Sequence, residues 1–290
     1  MREKMRLSMT GKITGALFFA AAALAPDSVF ADGKLTLTLG VNDVYCKDSA
    51  CECVHKVAAR SYDGVIRKLE SDGIELHLLY FTDTFALKRE IRRGGLDGVI
   101  CKPSFAFHAA GKDRVFTRLA DVLDPRSNQF VTGIVIVKKD SLVKTLADLT
   151  GKPVTMGKSD GFEKCQAARK LFAKEGIKPS KITEKSSCIE VIGDVMEGLS
   201  DGGVISDYAL TADCAVDFAK PDDFRVLANT GKIPLTSVML DNKKVSAANI
   251  ERLKAALLKI SGSAVPSDFL GGGFAAPAPW VYYEDESGEK

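Results

Sequence analysis

Residues 95–101 read Gly95-Leu96-Asp97-Gly98-Val99-Ile100-Cys101, and residues 198–206 read Gly198-Leu199-Ser200-Asp201-Gly202-Gly203-Val204-Ile205-Ser206. Each run follows a predicted helix and enters an apolar, β-rich strand. The two agree as helix–Gly–x–x–Asp–Gly–Val–Ile apart from one inserted glycine. Working outward from the first, Leu35 to Val41 alternates as a strand, about 49–71 reads as a helix, Ile74 to Phe81 is a second strand, and Thr84 to Arg93 a short helix. The long helix carries Val54, Ala58, Tyr62, Val65, Ile66 and Leu69 on one stripe. Around the second run, Lys152 to Met156 is a strand, Phe162 to Glu175 a helix with the stripe Phe162, Cys165, Ala168 and Phe172, and Ile189 to Glu197 another helix. Strands alternating with helices imply βαβ units and mostly parallel sheets. The recurrence at matching places implies an α/β protein of two similar lobes.

The connections between them set the boundaries. Phe130 to Lys139 is a long β-rich run suited to a strand leaving the first lobe. Arg225 to Leu240 reads as two strands joined by a turn and supplies the return. A helix from Ala247 to Ile260 then packs back on the first lobe. The expected organisation is lobe one from 32–130 plus 231–290, lobe two from 131–230, and two hinge crossings near 131–134 and 229–234. The Gly/Pro-rich tail from Gly271 is expected to lie on the surface, with Trp280 and Tyr282 docked.

Composition narrows the function. The 290 residues are 46% hydrophobic and 27% charged, with 40 basic and 38 acidic residues. That balance excludes disorder and argues against nucleic-acid coating or membrane adhesion. Arg2, Lys4, Arg6 and Lys12 precede the apolar run Ile13 to Ala25, and Val29-Phe30-Ala31 forms a small-x-small site, the pattern of a secretory signal peptide over 1–31. Cleavage leaves an exported, soluble protein beginning at Asp32, with 36 residues of each charge. All seven cysteines fall in that part. An oxidising compartment favours disulfides, and an odd count leaves at least one cysteine over. Cys46 and Cys101 both follow first-lobe strands at one sheet edge and can bridge. Cys165 and Cys188 lie at two neighbouring helix starts of the second lobe, which predicts a second bridge. Cys214 is the candidate for the leftover thiol. The group Cys46, Cys51, Cys53 and His55 has an alternative use. Cys51 and His55 stand one helical turn apart, a spacing compatible with a metal or redox module, although it matches no zinc-finger or haem-attachment pattern.

Signatures of catalysis are weak. There is no HExxH or G-x-S-x-G, Gly157-Lys158-Ser159 lacks the first glycine of a P-loop, and Ser141-Leu142-Val143-Lys144 is better read as an N-cap opening a helix to Leu149. The stronger signal is five strand-to-helix junctions, where open α/β sheets hold ligands against free backbone N–H groups. They contribute Tyr45; Asp83 and Thr84; Lys102 and Ser104; Ser159 and Asp160; Ser206 and Asp207. Each is also open to a plain reading as a helix cap.

The order LTLTLGV, ELHLLYF, Gly-Leu-Asp-Gly-Val-Ile, FVTGIVIVKKDS, Asp148-Leu149-Thr150-Gly151-Lys152, SDGGVIS and IPLTSVML resembles the substrate-binding components of phosphate, phosphite and phosphonate ABC importers. The resemblance covers about residues 34–262. It implies a type II periplasmic binding-protein fold, with no catalysis and no cofactor, in which a periplasmic monomer closes on a small polar ligand for an importer permease. It also implies that Ser159-Asp160-Gly161 and Ser187-Cys188 hold an anionic head group. The family commonly places hydroxyls, Ser/Thr and His there. Asp160 and Cys188 depart from that pattern, and a carboxylate facing a phosphonate is repelled unless protonated or bridged. Asp83 and Asp207 add negative charge, whereas Lys102 and Lys158 favour an oxyanion.

Overall fold

The computed structural model describes residues 33–43, 60–81, 83–111, 115–159, 161–211, 219–269 and 271–280. The segment expected to be a signal peptide, the cluster Cys46, Cys51, Cys53 and His55, and Tyr45, Asp160, Cys214 and Tyr282 lie outside them.

β1 (Leu35–Asn42) alternates as its sequence predicts, with Leu35, Leu37 and Leu39 buried. It pairs in parallel with β2 (Ile74–Tyr80) on one side and β3 (Gly98–Cys101) on the other. Helix α1 (Asp63–Ser71) lies between β1 and β2, α2 (Thr84–Arg93) between β2 and β3, and α3 (Pro103–Ala110) follows β3. β4 (Phe116–Leu123) then runs antiparallel. The predicted run 130–139 is broken into β5 (Phe130–Val131) and β6 (Gly133–Lys138). β6 belongs to a second sheet with β7 (Pro153–Gly157), β8 (Lys181–Lys185), β9 (Gly202–Ser206) and β10 (Phe224–Asn229). β11 (Ile233–Pro234) pairs with β5 as a separate two-stranded ribbon. β12 (Ser237–Asp241) returns to the first sheet between β4 and β3, and β13 (Gly273–Ala275) forms its edge. The first sheet therefore runs β13-β4-β12-β3-β1-β2 and the second β10-β6-β9-β7-β8. Both are mixed: β7, β8 and β9 are parallel, while β6 and β10 are antiparallel.

Several expectations change. The helix predicted from 49 begins, within the described residues, only at Asp63. Arg60 and Tyr62 are instead drawn into a buried network: Arg60 Nε and Tyr62 Oη donate to one oxygen of Asp43 at 2.8 and 2.7 Å, and Thr236 Oγ1 donates to the other at 2.7 Å. Burial, reinforced by the Asp43 charge, pushes the Tyr62 phenol well above its ordinary range, so it remains a donor. Ser141 does accept from Val143 N–H at 3.1 Å, but only a 3₁₀ turn at Ala147–Leu149 follows, not an α-helix. The predicted helix from Phe162 opens as a π turn, Phe162–Gln166, before α4 (Ala167–Lys174). α5 (Cys188–Met196) starts in a capping box, with the Ser187 hydroxyl accepting from Glu190 N–H and the Glu190 carboxylate from Ser187 N–H. α6 (Ala247–Leu258) packs Ile250, Leu253 and Leu257 into the first-sheet core.

Candidate functional site

The parallel strands β3, β7 and β9 send their carboxyl ends towards one region, and the side chains just beyond them meet there. Lys102 follows β3 of the first sheet. Its Nζ lies 2.5 Å from Oε1 of Glu163, in the π turn after β7 of the second sheet. Ser206, the last residue of β9, donates from Oγ to the same oxygen at 2.9 Å. Cys188, first in α5, places Sγ 3.9 Å from Ser206 Oγ. The Glu163 side chain is fully buried, whereas that of Lys102 is 23% exposed. Burial by itself raises the Glu163 carboxyl, but the Lys102 and Lys164 ammonium charges and the Lys102 hydrogen bond outweigh it and hold the group down at about 2. Asp207 is raised above the ordinary carboxylate range, first by removal of water and then by the Glu163 charge.

The backbone of Glu163 is fixed by the chain that crosses between the sheets. Its carbonyl accepts from Thr230 Oγ1 at 3.2 Å, and the same hydroxyl accepts from Gly133 N–H at 2.8 Å. A Cβ on Gly133 would stand 2.0 Å from the Glu163 carbonyl oxygen, so only glycine permits this approach. Beside it, Phe162 meets Trp280 edge-on at 6.0 Å, and Trp280 also lies 6.2 Å from Phe107 of α3. The tail thus docks through Trp280 as expected.

Of the predicted residues, the structure brings together Lys102, Ser206, Cys188 and Asp207. Asp83 instead caps α2, accepting from Phe85 and Ala86 N–H at 2.8 and 3.1 Å. Thr84 opens that helix as its first residue. Ser104 is buried in α3, its hydroxyl without a hydrogen-bond partner. Ser159 is exposed, and its carbonyl accepts from Gln166 Nε2 at 2.8 Å. The predicted Cys165–Cys188 bridge is not formed. Cys165 Sγ is engaged by Arg169 Nε at 3.5 Å, while Cys188 is a free thiol turned to Ser206. Cys101 is likewise a buried free thiol, and its expected partner Cys46 lies outside the described residues. Among the described residues, no group of three or more His, Cys, Asp or Glu side chains is placed to hold a metal ion, and no helix is long and apolar enough to cross a membrane. Sequence reasoning missed Glu163 and Gln166. The signal was present as a charged residue next to the apolar stripe, but an α-helical period does not turn it inward. The π turn buries Phe162, Glu163, Cys165 and Gln166 together.

Two mixed α/β sheets, joined by a two-stranded ribbon and presenting polar side chains to each other beyond their parallel strand ends, define a type II periplasmic binding protein. The family model for the periplasmic substrate-binding protein of phosphonate ABC transporters matches residues 55–278, and the chain belongs to that family. No curated protein matches it by sequence. Among solved structures it is similar to XAC2383 from Xanthomonas citri bound to ATP, with 18% identity, a TM-score of 0.64, and 84% of this chain and 92% of that one covered. It is also similar to PhnD1 from Prochlorococcus marinus in complex with methylphosphonate, with 12% identity, a TM-score of 0.58, and coverage of 84% and 93%. A binding protein component of an ABC phosphonate transporter from Pseudomonas aeruginosa matches at 13% identity with a TM-score of 0.56, covering 84% of this chain and 82% of that one. These likenesses establish the fold.

Proposed function

We propose that this chain, exported by cleavage after Ala31, works as a monomer. It captures one small polar ligand between lobe one (32–130 with 231–290) and lobe two (131–230) and delivers it to an importer permease without chemical conversion. A phosphate- or phosphonate-like oxyanion is the favoured ligand. The observation that carries this reading is the meeting of Lys102 with Ser206 across the two sheets, an ammonium and a hydroxyl converging from opposite sides on one carboxylate oxygen. The same donors suit an oxygen of a bound oxyanion. The methylphosphonate complex of the Prochlorococcus protein supports the ligand class by analogy of fold and family. Cys188 and Asp207 stand at the rim of the same seat, so the ligand also covers a thiol.

Native mass spectrometry of freshly purified exported protein tests the reading. The expected result is one retained small molecule carrying an oxyanion group, with slower alkylation of Cys188 while it is bound. Recovery of ligand-free protein only, or of a retained molecule with no anionic group, overturns it. Ser206→Ala and Lys102→Met are each expected to weaken retention, because one donor comes from each sheet.

A further inference from the structure

The seat just described already holds an anion, and that anion belongs to the protein. Both strong contacts to Glu163, from Lys102 Nζ at 2.5 Å and Ser206 Oγ at 2.9 Å, fall on Oε1. The other oxygen, Oε2, is buried with no hydrogen-bond partner. Two further polar atoms from the same neighbourhood of the chain are buried and unpartnered: Oε1 of Gln166, three residues along, and Oγ of Ser104, two residues beyond Lys102. Native interiors satisfy nearly all buried polar atoms, and a half-satisfied carboxylate costs stability. The donors used here are, moreover, those that a ligand oxyanion needs. A free oxyanion entering beside an ionised Glu163 would meet a like charge in a poorly screened setting, so it must replace the carboxylate rather than join it.

We infer that Glu163 is a tethered anion: with no ligand present it occupies the oxyanion seat, draws the two lobes together through Lys102, and bars small oxyanions that cannot displace it. The backbone of Glu163 is held by Thr230 and by its close approach to Gly133, so the exchange is assigned to the side chain. The inference rests on the cleft reading given under Proposed function and adds to it a built-in competitor. The cleft then discriminates between ligands by how well each replaces a carboxylate, as well as by how well it fits.

The test is calorimetric titration of inorganic phosphate and of acetate into wild-type protein, E163Q, E163A and the double variant E163A/K102M. Phosphate is expected to bind E163A at least tenfold more tightly than wild type. Acetate, which restores the deleted carboxylate, is expected to bind E163A and raise its unfolding temperature while leaving wild type unchanged. Adding K102M is expected to abolish both gains. E163Q fills the original space and is expected to gain phosphate affinity without gaining acetate rescue, which keeps the test decisive if E163A folds poorly. Equal phosphate affinity in wild type, E163Q and E163A, or a gain that survives K102M, overturns the tethered anion. Absence of phosphate binding in every variant overturns it as well. The cleft reading is judged separately, by the molecule that wild-type protein retains on purification.

Discussion

Acid should reveal the Lys102–Glu163 pair, and the structure sets the size of the effect. The Glu163 carboxyl is held at about 2, against an ordinary value of 4.5. At about 1.4 kcal/mol per pH unit, that gap contributes about 3 kcal/mol to folding at neutral pH. Because the folded state depresses the value, the stabilisation is complete above the unfolded-state value and is lost as pH falls through about 2. About 2 kcal/mol of it should be gone by pH 3. Urea unfolding of wild type and Glu163→Gln, each measured from pH 6 to pH 3, isolates the contribution. Leaving Lys102 with an amide partner lowers the variant's stability by an offset that does not follow Glu163 titration, so the informative quantity is how the difference between the two proteins changes with pH. It should narrow by about 2 kcal/mol across that interval. A difference that stays constant to within about half a kcal/mol would refute the reasoning, because it would mean that Glu163 titrates normally or that the pair is broken in solution.

Other consequences follow from single contacts. Gly133→Ala drives a methyl to 2.0 Å from the Glu163 carbonyl, so thermal unfolding should show a loss of about 1–3 kcal/mol or more. Asp83→Ala removes a helix cap whose side chain accepts from Phe85 and Ala86 N–H. It should cost about 1 kcal/mol in denaturant unfolding and leave ligand retention unchanged. Asp43→Asn breaks the buried ion pair with Arg60, whose partners are 1% and 0% exposed. Chemical denaturation should register a loss of about 3–5 kcal/mol. Mass mapping after alkylation of folded, unreduced protein should find Cys188 modified, whereas Cys101, whose thiol burial pushes far up, reacts only after unfolding.

Much of the architecture was legible because the parallel strands are apolar runs bounded by glycine. β3 and β9 carry that pattern, β1 shows the alternation its sequence predicts, and α2 matches the predicted Thr84 to Arg93. β4 escaped detection because Arg118 and Asp121 interrupt its apolar run. In the fold they neutralise each other, with Arg118 Nη2 at 2.6 and 2.7 Å from the two Asp121 oxygens. β8 escaped because it is a polar strand, Lys-Ile-Thr-Glu-Lys, at the sheet edge, where partial exposure tolerates charge. The family was legible from the order of elements. Of the residues expected at the cleft, Lys102, Ser206, Cys188 and Asp207 are the ones the fold brings together. Capping explains Asp83 outright, and the same short polar residues favour caps and ligand seats alike, so composition alone does not separate them. Glu163 was hidden because its inward position depends on a π turn, a local change of helical period that no apolar stripe announces.

On the tethered-anion reading, the placement of Glu163 would join ligand binding to lobe movement. Gly133 pairs with Ser206 across β6 and β9, its N–H donates to Thr230 Oγ1, and Thr230 N–H returns a bond to Gly133 O at 2.7 Å. Thr230 in turn holds the Glu163 carbonyl. The backbones of Glu163 and Ser206 are therefore both held at the strand ends marked by Gly133 and Thr230. Lys102 approaches from the other sheet, as the residue that precedes α3. On the two-lobe reading, a rotation between the sheets would keep Glu163 and Ser206 together and change their distance to Lys102. A single ammonium–carboxylate contact then reports the state of the hinge. On the tethered-anion reading, a ligand that takes the place of Glu163 in that contact would inherit control of closure, because what binds the seat would also draw the lobes together.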